Sequence, residues 1–320
     1  MLLSVIIPVY NAEKYIKRCL ESVFTAVALS KVSAEVVLVD NGSTDSSLEI
    51  AREFAKKSPL KIVPITCRIK GLSAARNFGV RAASGKYIWF IDADDTIAEK
   101  SIQLLIETAE KNKSDMVMMG AARIYPDKRS NYLSAVDPTT RNYKSRFVRY
   151  GAGAWQFLLR REWWISNGFS FREGIIHEDM EMISSLILYT DRFNSVDMPL
   201  YFYYQNADSI LHKSTWDPHY LDIFEALDGL YTRFEKADKT EEYHDELEWF
   251  FIWNLLIDSV KDFAKFREGR VGFSKSREML KKYFPEWRKN RFLKEKPLKL
   301  QIRVRLNYKY PKLSYLFSQR

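Results

Sequence analysis

The stretch KYIWFIDADD, residues 86–95, places an apolar run directly before three carboxylates. Residues 86–91 have the composition of a buried strand. Asp92, Asp94 and Asp95 follow it so closely that each would raise the pKa of the others unless a positive group lies among them. A divalent cation with oxygen ligands, Mg²⁺ or Mn²⁺, meets that need, and phosphate groups of a substrate often complete its shell. The alternative is an Asp-rich turn that caps the next helix.

The sequence around this stretch alternates between strand-like and helix-like patterns. Apolar strands separated by such helices indicate an α/β fold with a mostly parallel sheet flanked by helices. In that architecture ligands bind at the carboxyl ends of the strands. We predict strands at residues 2–9, 35–39, 61–66, 86–91 and 115–120, and helices at residues 12–25, 46–57, 73–83 and 97–111.

The second half of the chain is less regular and ends in a basic segment. Residues 124–150 are predicted to be an irregular connection and residues 198–204 a strand, and helices are predicted at 220–237, 241–266 and 274–284. From Lys261 to Arg320 the chain carries 19 Lys and Arg against 5 Asp and Glu, whereas the first 260 residues carry 31 against 36. A near-neutral body with a basic tail favours an anionic surface as partner.

Composition excludes several classes of protein. The chain has 320 residues, of which 46% are hydrophobic, as in a globular protein. Cys19 and Cys67 are the whole cysteine content, which forms neither a disulfide framework nor a zinc site and fits a reducing cytosol. The first apolar run resembles a strand and not a signal peptide, and no apolar run approaches the roughly 18 residues that span a bilayer.

Polar residues follow the first two predicted strands. Tyr10 and Asn11 come after the first, where Tyr10 can stack on a base; Asn11 as the cap of the next helix is the alternative. Asp40 ends the second, and its carboxylate can accept a hydrogen bond from a uracil or a ribose. Ser43 or Thr44 is expected to cap the following helix.

Two further motifs carry candidate groups. Gly71 allows close approach to a helix N-terminus, which favours anions, and Arg76 and Asn77 follow within two turns. Glu178 and Asp179 follow an apolar step in the second half. Asp179 is either a helix cap or a general base, which must lie within hydrogen-bond reach of the hydroxyl that it deprotonates.

Four motifs in order, VIIPVYN, VDNGSTD, SAARN and FIDADD, resemble those of bacterial family 2 glycosyltransferases with the GT-A fold. The resemblance covers residues 1 to about 120 densely, and resumes near Trp155 and at Glu178-Asp179. It implies inverting hexosyl transfer from a UDP-sugar to an acceptor hydroxyl, in the synthesis of a cell-surface polysaccharide or a lipid-linked oligosaccharide. It also implies a Mn²⁺ or Mg²⁺ cofactor and a cytoplasmic location.

The resemblance assigns roles by position. Asp179 is the expected base beside Glu178, and Asp94 is the expected metal ligand, assisted by His212. Expected donor contacts come from Pro8, Tyr10, Asn11, Asp40, Gly71, Arg76, Asn77, Asp92, Ala93 and Ser209. This chain departs from the family where Tyr204 and Phe157 replace an Arg and a Lys.

We predict a catalytic domain over residues 1–215, in which 1–120 bind the nucleotide-sugar and 121–215 supply the base and acceptor part. Residues 216–320 are predicted to be a helical region with a basic tail. Within that tail, Lys299 to Leu306 alternates as a strand would, yet an interfacial helix fits equally; it either contacts anionic lipid or packs on the body.

The rival functions are a non-catalytic nucleotide-sugar-binding module, a nucleic-acid binder and a nucleotidyltransferase. The last two lack their characteristic motifs.

Overall fold

The computed structural model describes residues 1–127, 129–206 and 215–310. The described chain forms two compact units. Unit 1 consists of residues 1–143, 153–174 and 189–206, and unit 2 of residues 144–152, 175–188 and 215–310. Residues 175–188, which contain Glu178 and Asp179, thus group with the C-terminal helices, since their helix packs on the first long helix of that region. The predicted boundary at residue 215 stays a prediction.

A single mixed sheet forms the centre of unit 1. Its strands are β1 (Leu3–Val9), β2 (Ala34–Asp40), β3 (Lys61–Thr66), β4 (Tyr87–Phe90), β5 (Thr96–Ile97), β6 (Met116–Ile124), β7 (Ser130–Leu133), β8 (Phe157–Arg160) and β9 (Phe193–Tyr204). They are ordered β3-β2-β1-β4-β8-β6-β9-β5, with β7 paired to β6.

The strand directions confirm the predicted α/β class. Neighbouring strands are parallel from β3 through β2 and β1 to β4, and β6 is parallel to β9. The strands β8, β7 and β5 pair antiparallel with their neighbours. The carboxyl ends of β1, β2, β3 and β4 therefore share one edge of the sheet, the edge at which such folds bind ligands.

The seven predicted helices are present with shifted ends, except that the one predicted at residues 241–266 is interrupted by a π-helical turn at residues 254–258. The α-helices of the described residues outnumber those predicted. They are α1 (Ile16–Ser30), α2 (Ser47–Lys57), α3 (Leu72–Ala82), α4 (Ser101–Asn112), α5 (Tyr143–Tyr150), α6 (Arg161–Ser166), α7 (Glu178–Ser185), α8 (Asp222–Lys236), α9 (His244–Trp253), α10 (Val260–Lys265), α11 (Arg270–Tyr283), α12 (Arg291–Lys294) and α13 (Leu298–Lys309). The irregular connection predicted at residues 124–150 was wrong, because β7 and α5 lie within it. Among the described residues, every helix is too short or too polar to span a membrane.

Helix α3 lies close against the parallel strands because Gly79 has no side chain. A Cβ at this position would overlap Cγ2 of Ile6 and lie 3.2 Å from Cγ2 of Val39. Ile6 and Val39 are both fully buried, so neither can move aside cheaply. This close packing sets the depth at which α3 presents its N-terminus.

A buried carboxylate joins the strands at the opposite, amino edge of the sheet. Glu35 accepts hydrogen bonds from the Ser4 hydroxyl (2.8 Å), the Ser84 backbone N–H (2.8 Å) and the Lys61 ammonium group (2.7 Å). Burial alone would raise the pKa of Glu35, but the hydrogen bonds from Lys61, Ser84 and Ser4 outweigh it and lower the pKa to about 2. The carboxylate therefore links β1, β2, β3 and the turn before β4.

We predict that Gly79→Val destabilises the protein by about 1–3 kcal/mol, since the added methyl groups overpack a filled interface. Urea unfolding followed by circular dichroism measures the change. Arg81→Ala, at an exposed position of the same helix, is the control and should change stability by less than about 0.5 kcal/mol. Equal stability of Gly79→Val and the wild type would contradict the packing described for α3.

We predict that Glu35→Gln lowers the free energy of unfolding at pH 7 by about 2 kcal/mol, because an ionised acceptor is lost. The folded pKa of Glu35 lies below its ordinary value of 4.5. The wild type should therefore lose this contribution as the pH falls from about 4.5 towards 2, and the two proteins should converge in stability. Unfolding measured across that window, with the exposed Glu107→Gln as control, tests this; a gap that is constant with pH counts against it.

Candidate functional site

Hydrogen bonds join the loop after β1 to the loop after β2. The Thr44 backbone N–H donates to Oδ1 of Asn11 at 2.8 Å, and the Asn11 backbone N–H donates to the Ser43 hydroxyl at 3.2 Å. Asn11 adopts a φ of 48°, a left-handed conformation that Asn tolerates better than most residues. The alternatives in which Asn11, Ser43 or Thr44 caps a helix were wrong, because α1 begins at Ile16 and these groups bind one another.

The predicted base-binding residues differ in their surroundings. Tyr10 is 58% exposed, so its ring is available for stacking, while Pro8 is buried within β1 beside Val39. Asp40 is buried, and its carboxylate accepts the backbone N–H groups of Gly42 (3.4 Å) and Ser43 (3.2 Å). Asp40 therefore shapes the turn after β2, and its predicted contact with a uracil stays a prediction.

Asn41 is a site-building residue that sequence reasoning missed. Its Oδ1 accepts the backbone N–H of Gly71 at 2.8 Å, and its Nδ2 donates to the carbonyl of Ile69 at 2.7 Å. Gly71 precedes α3 with a φ of 115°, which only glycine adopts without strain. Asn41 thereby fixes the N-terminus of α3 beside the loop after β2. In the sequence it is indistinguishable from an ordinary turn residue.

The first turns of α3 carry a buried cation to the carboxyl end of β4. Arg76 is 2% exposed, and its Nη2 lies 2.9 Å from Oδ1 of Asp92, whose side chain is partly exposed. The guanidinium also packs over the ring of Phe171, 5.5 Å from its centroid. The structure therefore brings together two residues that the sequence placed in separate motifs, and Asp92 faces both Arg76 and solvent.

Asn77 performs a different task from its neighbour. Its Nδ2 donates to the carbonyl of Phe171 and its Oδ1 accepts the backbone N–H of the same residue, both at 2.9 Å. This two-point bond fixes the segment against which Arg76 packs. The geometry accounts for Asn77 as a support of the site, and its predicted contact with the donor stays a prediction.

The three carboxylates after β4 are not equivalent. Asp95 is fully buried and accepts hydrogen bonds from the Tyr201 hydroxyl (2.7 Å) and the Tyr204 backbone N–H (2.8 Å). Burial raises the pKa of Asp95 well above its usual range, and the charges of Asp94 and Asp92 raise it further. The Tyr201 hydroxyl in turn accepts the backbone N–H of Asp92 at 3.1 Å. Asp95 is therefore an anchor for the turn and is withdrawn from solvent.

Asp94 is the partly exposed acid next to this anchor. Its Oδ2 accepts from Nδ2 of Asn206 at 3.1 Å. Burial raises the pKa of Asp94, and the nearby charge of Asp92 adds to the effect. A cation would relieve this electrostatic penalty, and the carboxylate oxygens suit Mg²⁺ or Mn²⁺. Ala93 lies between the two acids and is buried.

Arg18 supports the same turn from α1, although it belongs to none of the sequence motifs. Its Nη2 donates to the backbone carbonyl of Asp94 at 2.7 Å, and its guanidinium lies 3.7 Å from the centroid of the Tyr204 ring. A positive group thus lies over the ring of Tyr204, the residue that the family resemblance marks as a departure.

In unit 2, Glu178 and Asp179 begin α7. Glu178 is buried and Asp179 is partly exposed, and acidic groups in a first turn are favoured by the helix dipole. The preceding His177 has a φ of 68°, a left-handed conformation that costs most residues free energy. Ser209 and His212, predicted to contact the diphosphate and the metal, lie outside the described residues.

Unit 2 also contains a group of three residues with ligand atoms close enough to hold a metal ion: His244, Asp245 and Glu248. Both acids already have partners, since Asp245 pairs with Arg291 at 2.9 Å and Glu248 accepts from Asn290 at 2.8 Å. These partners account for the acids without a metal.

The fold and the arrangement at the end of β4 together define a glycosyltransferase of the GT-A class. The chain belongs to glycosyltransferase family 2, whose model, described as "Glycosyl transferase family 2", matches residues 4–165. It is 32% identical over 257 residues to the uncharacterised glycosyltransferase EpsJ of Bacillus subtilis, a match that covers 75% of this chain and 73% of EpsJ.

Solved structures agree on the fold. A crystal structure of S. aureus TarS, residues 1–349, in complex with UDP-GlcNAc has a TM-score of 0.77 and 20% identity, covering 99% of this chain and 92% of that one. The mannosyltransferase PcManGT from Pyrobaculum calidifontis, in complex with GDP-Man and Mn²⁺, has a TM-score of 0.54 and 16% identity, covering 97% of this chain and 87% of that one. At these identities the likeness concerns the fold.

We predict that Tyr201→Phe lowers the free energy of unfolding by about 1–3 kcal/mol, because the buried Asp95 loses a donor and the Asp92 N–H loses its acceptor. Thermal and urea unfolding measure the loss. Tyr203→Phe is the matched control: both rings stack on Trp155, but the Tyr203 hydroxyl bonds Gln205. Equal effects of the two substitutions would show that the Tyr201 hydroxyl does not anchor the turn.

Proposed function

We propose that the protein transfers a hexose from a UDP-sugar to an acceptor hydroxyl with inversion at the anomeric carbon. The observation that carries the proposal is the pairing of Asp92 with the buried Arg76 at the carboxyl end of β4, beside the partly exposed Asp94. A site with this mixture of charges suits a diphosphate together with a divalent cation.

The uracil and ribose would be held by the loops after β1 and β2. The exposed ring of Tyr10 and the buried carboxylate of Asp40 flank the hydrogen bonds that join those loops. Pro8, Asn11 and Gly71 would shape this part of the site. UDP as the nucleotide follows the family resemblance, and TarS, which shares the fold, was crystallised with UDP-GlcNAc.

Asp94 would hold Mn²⁺ or Mg²⁺, with Asp92 turned towards the sugar or ribose. When bound, the cation would neutralise charge on the departing diphosphate. Arg76 contributes a fixed positive charge that costs no reorganisation during the reaction, because Asp92 and Phe171 already hold it. PcManGT, which has a related fold, was crystallised in complex with GDP-Man and Mn²⁺. Ser209 and His212 are proposed to assist as the resemblance implies.

Asp179 would act as the general base, taking a proton from the acceptor hydroxyl, with Glu178 beside it. Its support is the family's Glu-Asp pair and its partly exposed position in the first turn of α7. The competing role is purely structural, since an acid at a helix N-terminus stabilises the helix.

The acceptor is proposed to be a cell-surface polysaccharide or a lipid-linked oligosaccharide, glycosylated on the cytoplasmic side with the enzyme peripheral to the membrane. The alternative is a module that binds a nucleotide-sugar without transferring it. Asp94 and Asp179 favour transfer, because binding alone does not need a base.

We predict that the protein releases UDP slowly from one member of a UDP-sugar panel in the presence of Mn²⁺ or Mg²⁺. Asp94→Ala should lower this rate by about 10²–10³-fold, since charge on the leaving diphosphate is no longer compensated. Glu99→Gln, at an exposed acid four residues after Asp95, is the control. Turnover that survives both Asp94→Ala and chelation of the metal would contradict the metal site.

We predict that Asp179→Asn lowers transfer to an acceptor by about 10²–10⁴-fold while UDP affinity stays within about twofold, because a base acts on the acceptor and not on the nucleotide. Acceptor kinetics and calorimetric titration with UDP separate the two effects. A parallel loss of UDP affinity would make Asp179 a structural residue. Tight UDP binding without turnover on any donor and acceptor tested would favour the non-catalytic module.

A further inference from the structure

Helix α13 exposes apolar side chains on the face that is not packed. Val304 and Asn307 are buried, and Nδ2 of Asn307 donates to the carbonyl of Leu256 at 2.7 Å. The exposed apolar side chains of the helix are Leu298 (66%), Ile302 (46%) and Leu306 (38%). The sequence from Lys299 to Leu306 is compatible with a strand or a helix, and the structure shows a helix.

The spacing of these three residues makes them a continuous stripe. Residues four apart in a helix lie on the same face, one above the other. A helix of a soluble protein normally turns its apolar face inwards and its polar face to solvent. Single exposed apolar residues are common, but an aligned set of three on a docked helix indicates an interaction surface.

Cations border the stripe. Lys299, Arg305 and Lys309 are exposed, and residues 298–309 contain no Asp or Glu. At 100° per residue, Arg305 falls beside Leu298 and Lys299 falls beside Leu306, while Lys309 lies in line with the stripe at the C-terminal end of the helix. An apolar stripe within a basic margin matches an anionic lipid surface, where the aliphatic groups enter the headgroup boundary and the cations meet phosphates.

Aromatic residues adjoin the start of this helix. The Lys296 ammonium group lies 5.1 Å from the centroid of the Trp249 ring, and Trp249 is 5.8 Å from Trp253, centroid to centroid. Trp253 is among the exposed large hydrophobic residues of unit 2. Tryptophan favours the membrane–water boundary because its ring is apolar and its N–H is polar.

We propose that the exposed face of α13, formed by Leu298, Ile302 and Leu306 with their basic margin, lies on an anionic lipid bilayer. A second copy of this chain is disfavoured as the occupant, because two such faces would bring like charges together. This surface gives the peripheral location in the proposed function a defined contact, and it stands whatever sugar the enzyme transfers.

Co-sedimentation of the full chain with vesicles tests this surface. The vesicles are phosphatidylcholine alone, or phosphatidylcholine with roughly three parts in ten of phosphatidylglycerol. The wild type should bind the anionic vesicles, and salt of about 0.5 M should weaken that binding. The variant Leu298→Ser, Ile302→Ser, Leu306→Ser should bind at least about tenfold more weakly, since three aliphatic groups no longer enter the lipid.

Two further variants separate the electrostatic contribution to vesicle binding from a general effect of removing exposed apolar residues. Lys299→Gln with Arg305→Gln should weaken binding to anionic vesicles only. Leu29→Ser with Ile165→Ser, at exposed apolar positions of unit 1, should bind as the wild type does. UDP release without vesicles should be unchanged in the triple variant, so a failed lipid contact is distinguishable from a failed transferase.

Equal binding by the wild type and the triple variant would overturn the proposal, as would the absence of wild-type binding to anionic vesicles. Sedimentation velocity provides a third outcome. A wild-type dimer that the triple variant abolishes, with lipid binding unchanged, would assign this face to contact between copies and would also overturn it.

Discussion

The constraint on which the site depends is the placement of three carboxylates within four residues at the end of β4. Their mutual repulsion must be compensated, and each acid is compensated differently. Asp95 is buried and held by Tyr201 and the backbone of Tyr204. Asp92 pairs with the buried Arg76, and Asp94 retains a raised pKa. A divalent cation would relieve the electrostatic repulsion that remains at Asp94. Metal binding and the stability of this turn therefore depend on the same three carboxylates.

The two edges of the parallel strands have different roles in unit 1. At the amino edge, Glu35 is fully engaged by neighbouring groups and links adjacent strands. At the carboxyl edge, Oδ1 of Asn11 accepts a hydrogen bond from the loop after β2, and Oδ1 of Asn41 accepts one from Gly71 at the N-terminus of α3. A rigid sheet held at one edge can keep partly exposed polar groups in place at the other, as a preorganised binding site requires.

Much of the fold follows from local pattern, because buried parallel strands carry continuous apolar runs and end at polar turns. The strands that the sequence did not predict, β5, β7 and β8, are short. β5 and β8 owe their pairing to partners distant in the chain, whereas β7 forms a hairpin with the preceding strand β6. The motifs located Asp92 and Arg76, yet their ion pair depends on how α3 packs on the sheet. Tyr201 and Arg18 belong to no recognisable sequence motif, because only the folded chain brings them close to Asp92 and Asp94. Helix α13 was ambiguous because Lys299 to Leu306 alternates between polar and apolar residues as a strand would.

Asp94 is expected to make nucleotide binding depend on a divalent cation. Calorimetric titration of UDP into the wild type and Asp94→Asn, each with Mn²⁺ and with a chelator, tests it most directly. We expect Mn²⁺ to raise UDP affinity at least about tenfold in the wild type and to leave the affinity of Asp94→Asn unchanged. Equal affinity of the wild type with and without Mn²⁺, or an equal gain in the variant, would contradict it.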